Sequence, residues 1–185
     1  TTISPADLPQ VETFAELGLS EAVLAGIRDA GYLKPLEVQV ATAKVALEGR
    51  DLVVRSKTGS GKTLAFAAPI LSRIDYSSKK PQVLVLAPTR ELALQVHGEF
   101  EKISRHTGLR SIPIYGGTGF GKQLDSLRDG VQLVGGTPGR VLDHHSRGTL
   151  DRRAREAPPG LPGLGVAALC RTCHRSIRPG TPHFA

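Results

Sequence analysis

Four short apolar and β-branched runs constrain this chain most: DLVVR (51–55), QVLVLA (82–87), SIPIY (111–115) and VQLV (131–134) each lead into a turn and then a helical pattern. Strands that are apolar throughout and alternate with helices bury both faces, which implies a parallel sheet covered on each side. The predicted fold class is therefore α/β, a doubly wound parallel sheet. Its first helices precede the first strand. SEAVLAGIRDA (20–30) carries Ala22, Val23, Ile27 and Ala30 at helical spacing, with Ser20 as N-cap and Gly31 as stop, and VQVATAKVALEG ends at Gly49. TLAFAAPILSRI, PTRELALQVHGEFEKIS, KQLDSLRDG and TPGRVLDHHS supply the helices that follow the four runs. In such sheets ligands bind at the carboxyl ends of the strands, where the glycine-, proline- and threonine-rich turns of this sequence must lie.

The first of those turns is the most specific. Ser56, Lys57, Thr58, Gly59, Ser60, Gly61, Lys62 and Thr63 stand between an apolar run and an amphipathic helix, the context in which a phosphate-binding loop is credible. Glycines let the backbone aim its N–H groups inward at phosphate oxygens. Lys62 would pair with the β- and γ-phosphates, Thr63 would offer its hydroxyl to Mg²⁺, and the helix would add its positive N-terminal end. The bland alternative is a chance Gly/Ser turn before a helix, and GSGKT after a strand argues against it. Lys62 and Thr63 are thus the residues expected to bear on phosphoryl chemistry.

Composition is consistent with a nucleic-acid partner. The 185 residues carry a formal net charge of +7, which suits a polyanion, and 39% hydrophobic content is enough for one sizeable core. Both cysteines, Cys170 and Cys173, lie within four residues, so neither can close a large loop by a disulfide, and a reducing cytoplasmic setting is expected. The start TTISPADLPQ lacks a basic segment followed by an apolar run, and no stretch approaches the ~18 apolar residues of a membrane span. Position 1 is Thr and the chain contains no Met, so the start is either a fragment edge or a processed end.

With the phosphate loop placed, four further segments resemble the DEAD-box RNA helicases, in the right order and over residues 14 to about 150. Phe14 in FAELGL and Gln39 in GYLKPLEVQ resemble the family's adenine-reading Q motif, in which a glutamine amide bonds the adenine edge and an upstream aromatic packs against it. Leu36 and Glu37 stand where the family normally has Thr and Pro. Pro88, Thr89, Arg90 and Glu91 open a segment similar to motif Ia, Gly116 and Gly117 resemble the GG motif, and Thr137, Pro138, Gly139 and Arg140 resemble motif Ib. In the family these line the RNA path. Hydroxyls, exposed N–H groups, helix starts and Arg suit phosphate oxygens, so they read backbone shape and not base identity. The resemblance implies a RecA-like domain, with ATP and Mg²⁺ as cofactors and RNA as partner.

The family's next element is a strand ending in Asp-Glu-Ala-Asp, whose first carboxylate helps hold Mg²⁺ while the Glu positions the attacking water. No Asp-Glu pair occurs in this chain. The expected organisation is an N-terminal extension over 1–13, a partial helicase ATP-binding domain over 14–150 that is incomplete at its C-terminus, and an irregular tail over 151–185. In that tail six arginines stand against Asp151 and Glu156, giving +4 of the total charge. Rich in Arg, Pro and Gly, it reads as loop or disorder. A reading-frame shift near residue 151, or a truncated gene model, explains the abrupt change more simply than an evolved basic extension that grips RNA. Cys170, Cys173 and His174 match a haem-attachment spacing, and with His183 a zinc set, but neither export nor a second cysteine pair accompanies them, and coincidence is the preferred reading. The function expected is the ATP- and RNA-binding first lobe of an RNA helicase. The alternatives are a non-catalytic nucleotide- and RNA-binding module or an inert truncation product.

Overall fold

A computed structural model describes residues 8–54, 56–57 and 59–150, together with the backbone of Gly165–Ala168. A 3-10 turn over Phe14–Leu17 precedes α1 (Glu21–Asp29), α2 (Glu37–Leu47) and α3 (Lys62–Leu71). Strand and helix then alternate: β1 (Val83–Leu86), α4 (Arg90–Ile103), β2 (Ser111–Ile114), α5 (Phe120–Asp129), β3 (Leu133–Gly136), α6 (Pro138–Ser146), and last β4 (Gly165–Ala168). The sheet order is β2-β3-β1-β4 and all three pairings are parallel, with Val83 opposite both Leu133 and Gly165, and Ser111 opposite Leu133.

The sheet is covered on both faces, as the continuous apolar runs require. Val83, Val85 and Leu133 pack with Ile27 of α1, Leu71 of α3 and Phe100 and Ile103 of α4. Their strand neighbours turn the other way: Leu84, Leu86 and Val134 join Ile112, Ile114, Leu127 of α5 and Val141 of α6. Alternate residues of one strand thus feed two cores. Ser20 takes the N-cap position of α1, and the chain leaves that helix through Gly31 at φ 81°. At Gly26 a Cβ would lie 2.0 Å from the Ile103 carbonyl oxygen, so only glycine lets α1 and α4 approach this closely.

Three expectations need correction. The run at 51–55 does not enter the sheet: 51–54 are irregular and Val53 is 67% exposed, while Arg55 lies outside the described residues. A strand exists only through a neighbouring ladder, and among the described residues 51–54 are not in one of the four strands that pair. The strand expected at 131–134 is displaced to Leu133–Gly136. Gly136 pairs with Leu86 and Ile114 in the sheet, and only glycine fits there, because a Cβ would meet the Ile114 carbonyl oxygen at 2.4 Å, a close approach of backbones that a glycine read only as a turn signal conceals. The tail was expected to hold no strand, yet Gly165–Ala168 pairs with β1 along its whole length. Backbone hydrogen bonding is open to any proline-free segment, and 163–178 contains no proline. The rest of the tail, with Cys170, Cys173, His174 and His183, lies outside the described residues.

Candidate functional site

Because β2, β3 and β1 are adjacent and parallel, the segments leaving their carboxyl ends emerge side by side at one edge. After β1, Thr89 caps α4, its hydroxyl accepting the Leu92 N–H at 3.3 Å. Pro88, Thr89, Arg90 and Glu91 are all exposed. The Glu91 carboxyl is held below the usual carboxylate range by its own backbone N–H and then by the Thr89 hydroxyl. After β2, Tyr115 is followed by the exposed Gly116 and Gly117, the latter at φ 82°. Arg90 bridges the two segments, its guanidinium 4.7 Å from the centre of the Tyr115 ring. After β3, Thr137 is the N-cap and Pro138 the first residue of α6; the Thr137 N–H donates to the Ile114 carbonyl at 3.0 Å.

Arg140, on the first turn of α6, does not reach outward alone. Its guanidinium donates to the Thr118 carbonyl at 3.3 and 3.4 Å and to Gln123 Oε1 at 3.3 Å. The sequence pointed to Arg140 as an RNA contact and missed what holds it, the Thr118 carbonyl and the Gln123 side chain. Gln123 could have been noticed. It stands four residues before Leu127 on the apolar stripe of α5, a polar side chain where a core residue is expected.

The glycine-rich loop ends directly in α3, with Gly61 as N-cap at φ 81° and Gly59 at φ 77°. Both adopt the left-handed region that glycine alone enters without penalty. The Ser56 hydroxyl donates to the Ser60 hydroxyl, and the Lys62 ammonium is held inside the loop by the carbonyls of Ser56, at 2.8 Å, and Lys57. Thr63 follows on the first turn of the helix, partly exposed; Thr58 lies outside the described residues.

Gln39 meets this loop. It is only 4% exposed, its Oε1 accepts the Leu36 N–H at 2.9 Å, and its Nε2 donates to the Gly61 carbonyl at 3.2 Å. Among the described residues each half of the amide therefore keeps one free capacity, an N–H and a lone pair. Phe14 goes elsewhere. At 6% exposure it belongs to the larger core, so its ring is mostly covered by the chain itself.

The comparisons agree with this architecture. The DEAD/DEAH box helicase profile matches residues 36–156, and the chain belongs to that family. It is 51% identical over 140 residues to the ATP-dependent RNA helicase DeaD of Mycobacterium tuberculosis, covering 75% of this chain and 25% of that protein. The DeaD protein of Klebsiella pneumoniae is 49% identical over 140 residues, with 75% and 22% covered. A crystal structure of a DEAD box protein from Methanococcus jannaschii superposes with a TM-score of 0.73 at 37% identity, covering 78% of this chain and 40% of that one. The chain thus spans about a quarter of the length of these curated relatives. Among the described residues no helix is long and apolar enough to cross a membrane.

Proposed function

We propose that this chain is a nucleotide- and RNA-binding lobe of an ATP-dependent RNA helicase, and that by itself it binds ATP without turning it over at an appreciable rate. The observation that carries the reading is the loop at 56–61. Two left-handed glycines aim its backbone, and it runs straight into the positive end of a ten-residue helix. Its cradle fits a phosphate chain, since the Lys62 ammonium already sits among the loop's carbonyls and exchanges those weak acceptors for phosphate oxygens. Ser56, Lys57, Thr58, Gly59, Ser60 and Gly61 surround the phosphates, and Thr63 offers its hydroxyl to Mg²⁺ held by the nucleotide. Bound Mg²⁺ would neutralise charge on the transferred phosphoryl group.

Gln39 is the adenine reader in this proposal, with Phe14 supporting the segment from the core. The spare N–H and lone pair of its amide match the acceptor and donor that adenine offers a glutamine side by side. RNA lies along the edge formed by Pro88, Thr89, Arg90, Glu91, Gly116, Gly117, Thr137, Pro138, Gly139 and Arg140, gripped through its backbone with little regard to base identity. We place the protein in the cytoplasm on its cysteine usage. Hydrolysis needs a positioned water and metal-holding carboxylates, and this sequence has no Asp-Glu pair to supply them. Binding ground state and transition state equally does not accelerate chemistry.

Titration with a fluorescent ADP and steady-state phosphate release, each with and without RNA, test the proposal. ADP and ATP bind, GTP competes poorly, Lys62→Ala abolishes binding, and phosphate release stays at background. RNA-stimulated release by the unmodified chain that Lys62→Ala abolishes would overturn the non-hydrolytic part, and equal affinity for GTP and ATP would overturn the adenine assignment.

A further inference from the structure

The loop after β2 poses a physical problem. Three of its four residues at 116–119 are glycine, so the backbone has almost no conformational preference of its own, and fixing it is entropically costly. Its shape has to be imposed from outside, and the structure shows by what. Gln123, 6% exposed, donates one Nε2 hydrogen to the Tyr115 carbonyl at 3.2 Å and the other to the Thr118 hydroxyl at 2.7 Å. That hydroxyl in turn donates to the Tyr115 carbonyl at 3.3 Å. The two ends of the turn are thereby tied to a single amide.

The amide is itself oriented by a buried histidine. With both Nε2 hydrogens engaged, Gln123 Oε1 is the acceptor facing His144 Nε2 at 3.1 Å. That nitrogen must carry the hydrogen, which fixes the tautomer. His144 is fully buried, its Nδ1 meets the Thr149 hydroxyl at 2.9 Å, and its ring stacks on Phe120 at 4.2 Å and 10°. Phe120 is covered on its outer side by the Arg147 guanidinium, 4.7 Å from the ring centre. Every polar atom in this network is partnered, so a change at one member propagates to the next. Arg140 adds to the same network from outside, donating to the Thr118 carbonyl at 3.3 and 3.4 Å and to Gln123 Oε1 at 3.3 Å.

We propose that Gln123 and His144 are positioning residues for RNA binding: the buried pair holds the 116–119 loop in the shape that presents its exposed glycine backbone to the phosphates of a single RNA strand. This rests on the RNA-binding reading above and adds to it two residues that touch no RNA. Removing the His144 donor leaves the Gln123 oxygen with the Arg140 contact at 3.3 Å alone, which loosens the amide and lets the glycines sample other shapes.

The test is fluorescence anisotropy of the full chain with a labelled oligouridine, alongside the ¹H–¹⁵N cross-peaks of Gly116 and Gly117 and a fluorescent-ADP titration. His144→Leu removes the donor at nearly constant size, and His144→Gln restores an N–H toward Gln123. Thr118→Val breaks the 2.7 Å contact without touching the buried ring. His144→Leu and Thr118→Val are expected to weaken oligouridine binding about tenfold, the scale of one lost buried hydrogen bond. Both should shift the two glycine cross-peaks and leave ADP binding unchanged, while His144→Gln recovers most of the RNA affinity. If the unmodified chain binds oligouridine and both variants bind it equally well with unmoved cross-peaks, the positioning role is overturned and the RNA-binding reading stands. If the unmodified chain does not bind oligouridine, both fall together. Loss of RNA and ADP binding in His144→Leu with normal RNA binding in Thr118→Val would mark His144 as a folding residue and also overturn the proposal.

Discussion

Gly59 and Gly61 give a paired experiment within one loop. Both are left-handed, at φ 77° and 81°, so alanine at either position pays the same backbone penalty of about 1–2 kcal/mol. Their surroundings differ. A Cβ at Gly59 meets nothing within 4 Å among the described residues, whereas one at Gly61 would stand 2.5 Å from Gln39 Nε2 and 2.9 Å from Leu36 Cδ1. Gln39 cannot swing aside freely, because it is 4% exposed and tied to Leu36 and Gly61 by two hydrogen bonds. Displacing it loses both, at ~0.5–1.5 kcal/mol each. Gly61→Ala should therefore be less stable than Gly59→Ala by ~1–3 kcal/mol, read as the difference in urea-unfolding free energy between the two variants. The same comparison in the Gln39→Ala background isolates the contact, since the gap should then close to within about 0.5 kcal/mol. Equal stability of the two alanine variants in the unmodified background would refute the Gln39 contact with the loop, and with it the geometry on which the proposed adenine reading rests.

Two further outcomes follow from side chains already described. His97 and His144 are both held below the ordinary histidine value, each chiefly by burial; Glu101 pulls His97 back up, while Arg140 and Arg147 push His144 further down against Asp143. The unfolded chain therefore takes up protons near pH ~6.5 that the folded chain resists, so stability is full above about pH 7 and is lost as pH falls from there through the lowered folded values. Thermal melts from about pH 7.5 down to about pH 5.5 should show this fall, flattened in the His97→Gln, His144→Gln double variant; a flat profile in the unmodified chain would contradict it. Arg90, exposed and seated over Tyr115, should act through phosphate alone. Arg90→Ala is expected to weaken binding of all RNA sequences alike and to lower the slope of log affinity against log salt by about one, measured by anisotropy across a salt series; loss for one sequence only would point to base contact.

The fold was legible where its cause is local. The amphipathic stripe of α4, with Val96, Phe100 and Ile103 buried, follows from spacing within a single helix, as does the cap position of Ser20. What could not be read depends on neighbours distant in sequence. Whether 51–54 forms a strand is decided by which ladder lies beside it, and whether Gly136 is turn or strand by its pairing with Leu86 and Ile114. Gly26 looks like a helix-weakening residue until the Ile103 carbonyl is seen against it. β4 is the extreme case, since its pairing partner β1 lies some eighty positions earlier.

The site divides along the same line. The proposed phosphate loop is a local reading, made from eight consecutive positions, and the structure adds that Gln39, twenty-two residues upstream of Gly61, is bonded to it. The edge formed by the three strand ends is different. Arg90 and Arg140 look equivalent in sequence, each an arginine on the first turn of a helix after a strand, and both suggest phosphate contacts. Structure separates them. Arg90 lies exposed over an aromatic ring, whereas Arg140 is half-buried and donates to Thr118 and Gln123. An arginine whose donors are already accepted within the protein costs those bonds when it turns to an external phosphate. Arg90 is therefore the stronger candidate for direct contact, and Arg140 joins Gln123 and His144 in shaping the loop beside it.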